Sequence, residues 1–100
     1  MPTFVLTYRS PSGYSPSPES TAAWQAWFAG MGDRLVELGN PVIAQASVGN
    51  CASGSTELGG YSLIEAADLD AAVELAGGCP HLVQNGGVEV GLLGEVPGRP

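Results

Sequence analysis

Lysine is absent from the chain, and three arginines stand against ten acidic residues, for a net charge of -7. A field of that sign repels phosphate backbones and argues against a nucleic-acid partner. Long apolar runs are missing too. None approaches the roughly 20 residues that a membrane span requires, so no membrane association is expected. The opening MPTFVLTYRS has neither a positive n-region nor a long apolar h-region. It reads as a strand rather than an export signal, which makes a cytoplasmic protein the expectation. Cysteine occurs only at Cys51 and Cys79, so one disulfide is the most the chain could form. Without an export signal both are expected as reduced thiols. Histidine occurs once, as His81.

What is present is a globular composition. Hydrophobic residues fill 44% of the 100 positions. That suffices for one modest core and a single domain, with the core expected over residues 3–93 and a tail over 94–100. Thr3 to Tyr8 alternates, with Phe4, Leu6 and Tyr8 opposed to Thr3, Val5 and Thr7, as in a strand with one more apolar face. Ser10 to Pro18 is rich in serine and proline and reads as a loop, on which the aromatic Tyr14 stands out. From Glu19 the period changes. Trp24, Trp27, Phe28, Met31, Leu35 and Leu38 recur at helical steps and predict one apolar helix face. Ser17 or Ser20 can cap its start, and Gly39 before Asn40-Pro41 its end.

Pro41 to Val48 predicts a second strand, and Gly49 to Leu58 a turn-rich connector. Gly60 to Ala66 predicts a third strand, Ser62, Ile64 and Ala66 on one face and Tyr61, Leu63 and Glu65 on the other. Asp68 suits the N-cap of a short second helix with Leu69, Ala72, Val73 and Ala76 inward, closed by Gly77 and Gly78. Val88 to Leu93 is a fourth strand. The order β-α-β-β-α-β predicts an α+β, ferredoxin-like sandwich: a four-stranded antiparallel sheet with both helices on one face. The uncovered sheet face would leave apolar side chains in water, which predicts a homodimer through that face.

Residues Gly59, Gly60, Tyr61, Ile64, Glu65, Ala66, Leu69, Asp70, Ala72, Val73, Ala76, Cys79, Pro80, Val88, Glu89 and Val90 compose a GGY strand, an LD-A helix, a CP-H turn and a VEV strand. Over roughly residues 57 to 93 the chain resembles the YCII-related family in these motifs. The resemblance implies a dimeric α+β barrel of ferredoxin-like protomers. For some members it also implies a dyad of a first-helix histidine and an aspartate before the turn's proline, which a few use to eliminate chloride from ring compounds. Here the helix positions near Ala22 to Trp24 hold no histidine, and Cys79 precedes Pro80. The DGPF motif of another branch is absent as well.

His81 is the one side chain whose ordinary pKa lies near neutrality, which makes it the candidate general acid or base. A loop histidine bonded to a backbone carbonyl is the plain alternative. Cys79 could pair with it as a thiol, or be a buried cysteine closing the helix. Arg9 could grip a ligand carboxylate, or bridge an acid. Trp24 and Trp27 could wall an aromatic pocket or be plain core, with Tyr8, Tyr14 and Asp33 as further lining candidates. Cys51, Cys79 and His81 lack the spacing and the fourth ligand of a metal site, so neither metal nor cofactor is expected. Asn85 with Gly86 and Gly87 is turn chemistry, since no helix follows to make a phosphate cradle. Two functions stand open beside a purely structural dimer, which would have no enclosed polar pocket. One is a cofactor-independent lyase or isomerase on an aromatic or carboxylate metabolite, with His81 as acid/base. The other is a non-catalytic dimeric module that binds a small ligand.

Overall fold

The computed structural model describes residues 1–51 and 54–98. In chain order these form β1 (Thr3–Pro11), α1 (Pro18–Met31), β2 (Leu35–Glu37), β3 (Thr56–Glu65), α2 (Leu69–Ala76) and β4 (Gly87–Leu92). Single 3-10 turns occupy Gly32–Arg34 and Pro80–Val83. The strands lie in the order β2-β3-β1-β4, and every pairing is antiparallel. This is the ferredoxin-like arrangement, in which each crossover helix joins two strands that have a third between them.

Alternation along β1 builds the core as expected. Phe4, Leu6 and Tyr8 are buried on one face, beside Ile64 and Ala66 from β3 and its end. Met31 of α1 and Ala72 and Ala76 of α2 belong to the same cluster, so both helices cover the same sheet face. The helix starts follow the sequence closely. Ser17 caps α1 by accepting from the Ser20 backbone N–H, and the Ser20 hydroxyl accepts in return from that of Ser17. Both serines thus act in one reciprocal box. Asp68 caps α2, its carboxylate accepting from the Ala71 N–H at 2.8 Å.

Three boundaries differ from expectation. The first helix ends at Met31, because Gly32 takes φ +55° and the chain turns there. Leu35 and Leu38 therefore fall outside it, and their helical spacing is coincidental. The second strand is Leu35–Glu37, not Pro41 to Val48. The earlier segment reaches the edge of β3 first, pairing Leu35 with Ile64 and Glu37 with Leu63. Beyond it only an isolated bridge, Pro41 to Gly60, continues the ladder. Past Val42, whose N–H still donates to the Gly59 carbonyl at 3.0 Å, the side chains turn to solvent, and Ile43 and Val48 are 96% and 90% exposed. Lastly, β1 runs on to Pro11, so Ser10 belongs to a strand rather than to a loop.

The inner face of α2 is also rotated. Ala72 and Ala76 are buried, but Leu69 and Val73 are about half exposed. Ala71 and Leu75 pack on the core instead. The Trp27 indole N–H donates to the Leu75 carbonyl at 3.2 Å, which ties α2 to α1 on that side. Among the described residues no helix is long and apolar enough to cross a membrane.

The two kinds of β-branched and aliphatic position should separate in denaturant melts. Leu6→Ala, at a site with no exposure, should lower the unfolding free energy by about 3 kcal/mol. Val48→Ser should change it by less than about 0.5 kcal/mol. A large loss at Val48 would mean that the segment is paired after all.

Candidate functional site

Alternation carries β1 past its core residues to Ser10, on the face that also bears Tyr8. On the β3 side the register slips there: Tyr8 pairs with Gly60 but Arg9 with Leu58, which makes Gly59 the extra residue of a bulge. A Cβ on Gly59 would collide with the Ser10 hydroxyl, so the bulge can close over this serine only with glycine in that place.

Opposite Ser10 stands His81, held by the 3-10 turn that follows α2. Pro80 begins that turn and suits its first position. With three residues per turn, His81 and Gln84 project from one side. The His81 Nδ1 atom lies 2.9 Å from Gln84 Oε1, and its Nε2 lies 2.9 Å from Ser10 Oγ. An amide oxygen only accepts, so Nδ1 carries the proton and donates. In the neutral ring Nε2 is then bare and accepts from the Ser10 hydroxyl. Gly86 lets the turn come this near: a Cβ there would meet the Arg9 carbonyl oxygen at 2.6 Å and the Cβ and Cγ atoms of His81 at 3.0 and 3.1 Å.

Aromatic edges fix the ring in its other directions. Tyr14 and Trp24 meet His81 nearly perpendicularly, at centroid distances of 4.8 and 4.9 Å. Trp24 in turn meets Tyr8 at 4.8 Å and Phe28 at 5.7 Å. These side chains wall a cleft of about 700 Å³ between the first half of α1, the ends of β1 and β3, and the 38–43 segment. Among the described residues its only carboxylate is Glu57, and neither lysine nor arginine lines it. The Tyr8 hydroxyl donates to Ser62 at 2.8 Å, and the Ser62 hydroxyl to the Leu38 carbonyl at 2.6 Å. Burial pushes the Tyr8 phenol up to about 12, an effect that the Ser62 bond partly offsets.

Four of the candidate residues, Tyr8, Tyr14, Trp24 and His81, thus meet at one cleft. Two do not. Arg9 leaves β1 from the opposite face and donates to the Thr56 carbonyl at 3.2 Å, beside Cys51 in a separate hollow. Cys79 is buried in the core cluster and does not line the cleft. Burial pushes its thiol up to about 11, against the smaller effect of a hydrogen bond from the His81 backbone. It is a neutral core residue, not a thiolate. Cys51 is exposed, and both thiols are free. Trp27 packs on the core without reaching the cleft, and Asp33 is exposed on the 3-10 turn after α1. Ser10 and Gln84 escaped the sequence reading. Gln84 had a signal, its three-residue offset from His81 in a turn begun by proline. Ser10 had none.

No protein-family profile matches the chain, and no curated protein matches it by sequence. Among solved structures it is similar to the 5-chloro-2-hydroxyhydroquinone dehydrochlorinase of Burkholderia phenoliruptrix, determined in complex with 2,5-dihydroxybenzoquinone. The two are 18% identical over 86% of this chain and 90% of that one, with a TM-score of 0.51. The likeness is one of fold.

A raised thiol pKa is a statement about stability. Unfolded, Cys79 ionises near 9.0; folded, it does so near 11. The folded state holds its proton more tightly, so the contribution is complete below pH 9 and is lost as pH rises toward 11. Urea melts across that range should show falling stability, with a shallower slope in Cys79→Ala. Equal slopes in the two proteins would place the thiol in water.

Proposed function

We propose that the chain is a YCII-like small-molecule-binding protein whose cleft takes a flat, uncharged aromatic ligand of the phenol or quinone kind, with His81 as its acid/base. The observation that carries this reading is the placement of the one imidazole. It sits at the wall of an aromatic cleft, between Tyr14 and Trp24, with one nitrogen anchored and the other directed at a hydroxyl that lines the cleft. Perpendicular and offset rings suit a planar guest, and Tyr8, Trp24 and Phe28 offer both edges and faces. A carboxylate guest has less to recommend it, since Arg9 lies on the far face of β1 and Glu57 would repel it. The dehydrochlorinase of similar fold was determined with a small ring compound bound, which supports a guest of that size and shape. Chemistry of lyase or isomerase type then consists of moving a proton between ligand and Nε2, by way of the Ser10 hydroxyl.

One observation favours the non-catalytic reading: in the resting structure both imidazole nitrogens already have partners. Thermal melts decide the binding part. At a hundredfold excess over Kd a ligand adds about 2.7 kcal/mol, a rise of about 10 °C or more for a domain of this size. Phenol or hydroquinone should give such a rise, benzoate should not, and Trp24→Ala should abolish it. Flat melts with every phenol tried would sink the reading. Turnover of a bound phenol that disappears in His81→Gln would separate enzyme from binding module.

The same proposal includes a homodimer. Val5 and Leu63 pair across β1 and β3 on the uncovered face and are only half-buried, with Thr7 and Tyr61 beside them. A second copy laid face to face would remove that apolar surface from water. Light scattering at micromolar concentration should give about twice the chain mass of 10.1 kDa. Leu63→Arg should reduce it to a single chain, and a wild-type monomer would refute the pairing.

A further inference from the structure

We infer that Ser10 is a nucleophile, activated by His81 and Gln84, and that the cleft supports acyl transfer from aryl esters as a second chemistry. This rests on the reading of the cleft as a ligand site and adds a reaction to it. Serine attacks well only when a base takes its proton, and the base works only in one tautomer. Both requirements are built here. Gln84 Oε1 holds the Nδ1 proton, which leaves the Nε2 lone pair facing Ser10 Oγ at 2.9 Å. An amide oxygen performs the same orienting role in the Cys-His-Asn variant of the triad. The glycines at 59 and 86 give the arrangement its room, since a Cβ at either place would strike Ser10 or the imidazole. Ser10 is partly exposed and is one of the residues that line the cleft.

The step balances without a co-reactant other than water. Ser10 Oγ bonds to the acyl carbon while its proton passes to Nε2. The bond from that carbon to the aryl oxygen breaks, and the proton on Nε2 goes to the departing phenolate. Water then repeats the sequence: its oxygen bonds to the acyl carbon, the Oγ–C bond breaks, and Oγ recovers a proton. Ester and water become acid and phenol. The phenol released is the kind of molecule that the aromatic walls accommodate.

The full chain treated with an aryl fluorophosphonate should gain one adduct, mapped to Ser10 by mass spectrometry. Ser10→Ala should take none. His81→Gln should label about a hundredfold more slowly, the lower range for loss of a general base. Gln84→Glu, which places a carboxylate behind the ring, should hydrolyse 4-nitrophenyl acetate faster than the wild type. Nitrogen-15 spectra of the wild-type imidazole should show a proton on Nδ1 at high pH, a readout that no variant's folding can disturb. Labelling that is absent, lies elsewhere, or is indifferent to His81 overturns the inference, as does a neutral ring protonated on Nε2. Phenol-dependent melts run on the same wild-type sample separate the two failures. Stabilisation without labelling would leave the binding reading standing and remove only the nucleophile.

Discussion

The period of two along β1 is the constraint on which the rest depends. Phe4, Leu6, Tyr8 and Ser10 occupy successive positions on one face of a strand that is hydrogen-bonded on both sides. The first three fill the core, and the fourth arrives at the cleft. A one-residue slip would send the whole set to the open face and bring Thr7 and Arg9 inward. The pairings to β3 and β4 forbid it, because each partner presents its own apolar set in the matching register. Core and site are therefore one construction: the contacts that hold Leu6 in place also decide where the Ser10 hydroxyl stands.

A bulge is the device that lets this strand serve both purposes. Opposite Tyr8 and Arg9 the third strand spends an additional residue, Gly59, which packs against the Ser10 side chain. The register of β1 itself is undisturbed. The bulge also gives a physical reason for the Gly-Gly-Tyr run in the third strand. Gly59 stands where any Cβ would hit Ser10, Gly60 takes φ +156° against the 40–41 segment, and Tyr61 turns back to the open face.

The sequence was most legible where a local pattern answers to local physics. Alternation in β1 and in Gly60–Ala66, the serine pair before α1, and Asp68 before α2 each declare themselves within a few residues. It was least legible where two segments competed for one place. Pro41 to Val48 has the better strand composition, yet Leu35–Glu37 takes the edge of β3 because Gly32 stops the helix early and delivers the chain there first. For the site, His81 could be singled out by its chemistry alone. Its partner Ser10 is 71 positions away. Only the fold brings them together, and the surrounding serines and prolines disguise the strand end that carries it. Arg9 and Cys79 were chosen for chemistry too, but strand parity places the first on the wrong face and core packing buries the second.

Charge narrows what the cleft can do. The chain carries -7 overall, and among the described residues the cleft adds Glu57 with no lysine or arginine to balance it. Anionic guests thus approach against the field of the protein. A neutral aromatic compound meets no such barrier, and its transfer into a site walled by Tyr8, Trp24 and Phe28 is driven by surface removed from water. The same lack of charge bears on reactivity. Gln84 orients the imidazole without placing a charge beside it. In the acyl transfer proposed above, a proton passed through Ser10 has the guest's departing oxygen as its acceptor. The arrangement favours substrates whose leaving group becomes a ready proton acceptor, and a phenolate is one.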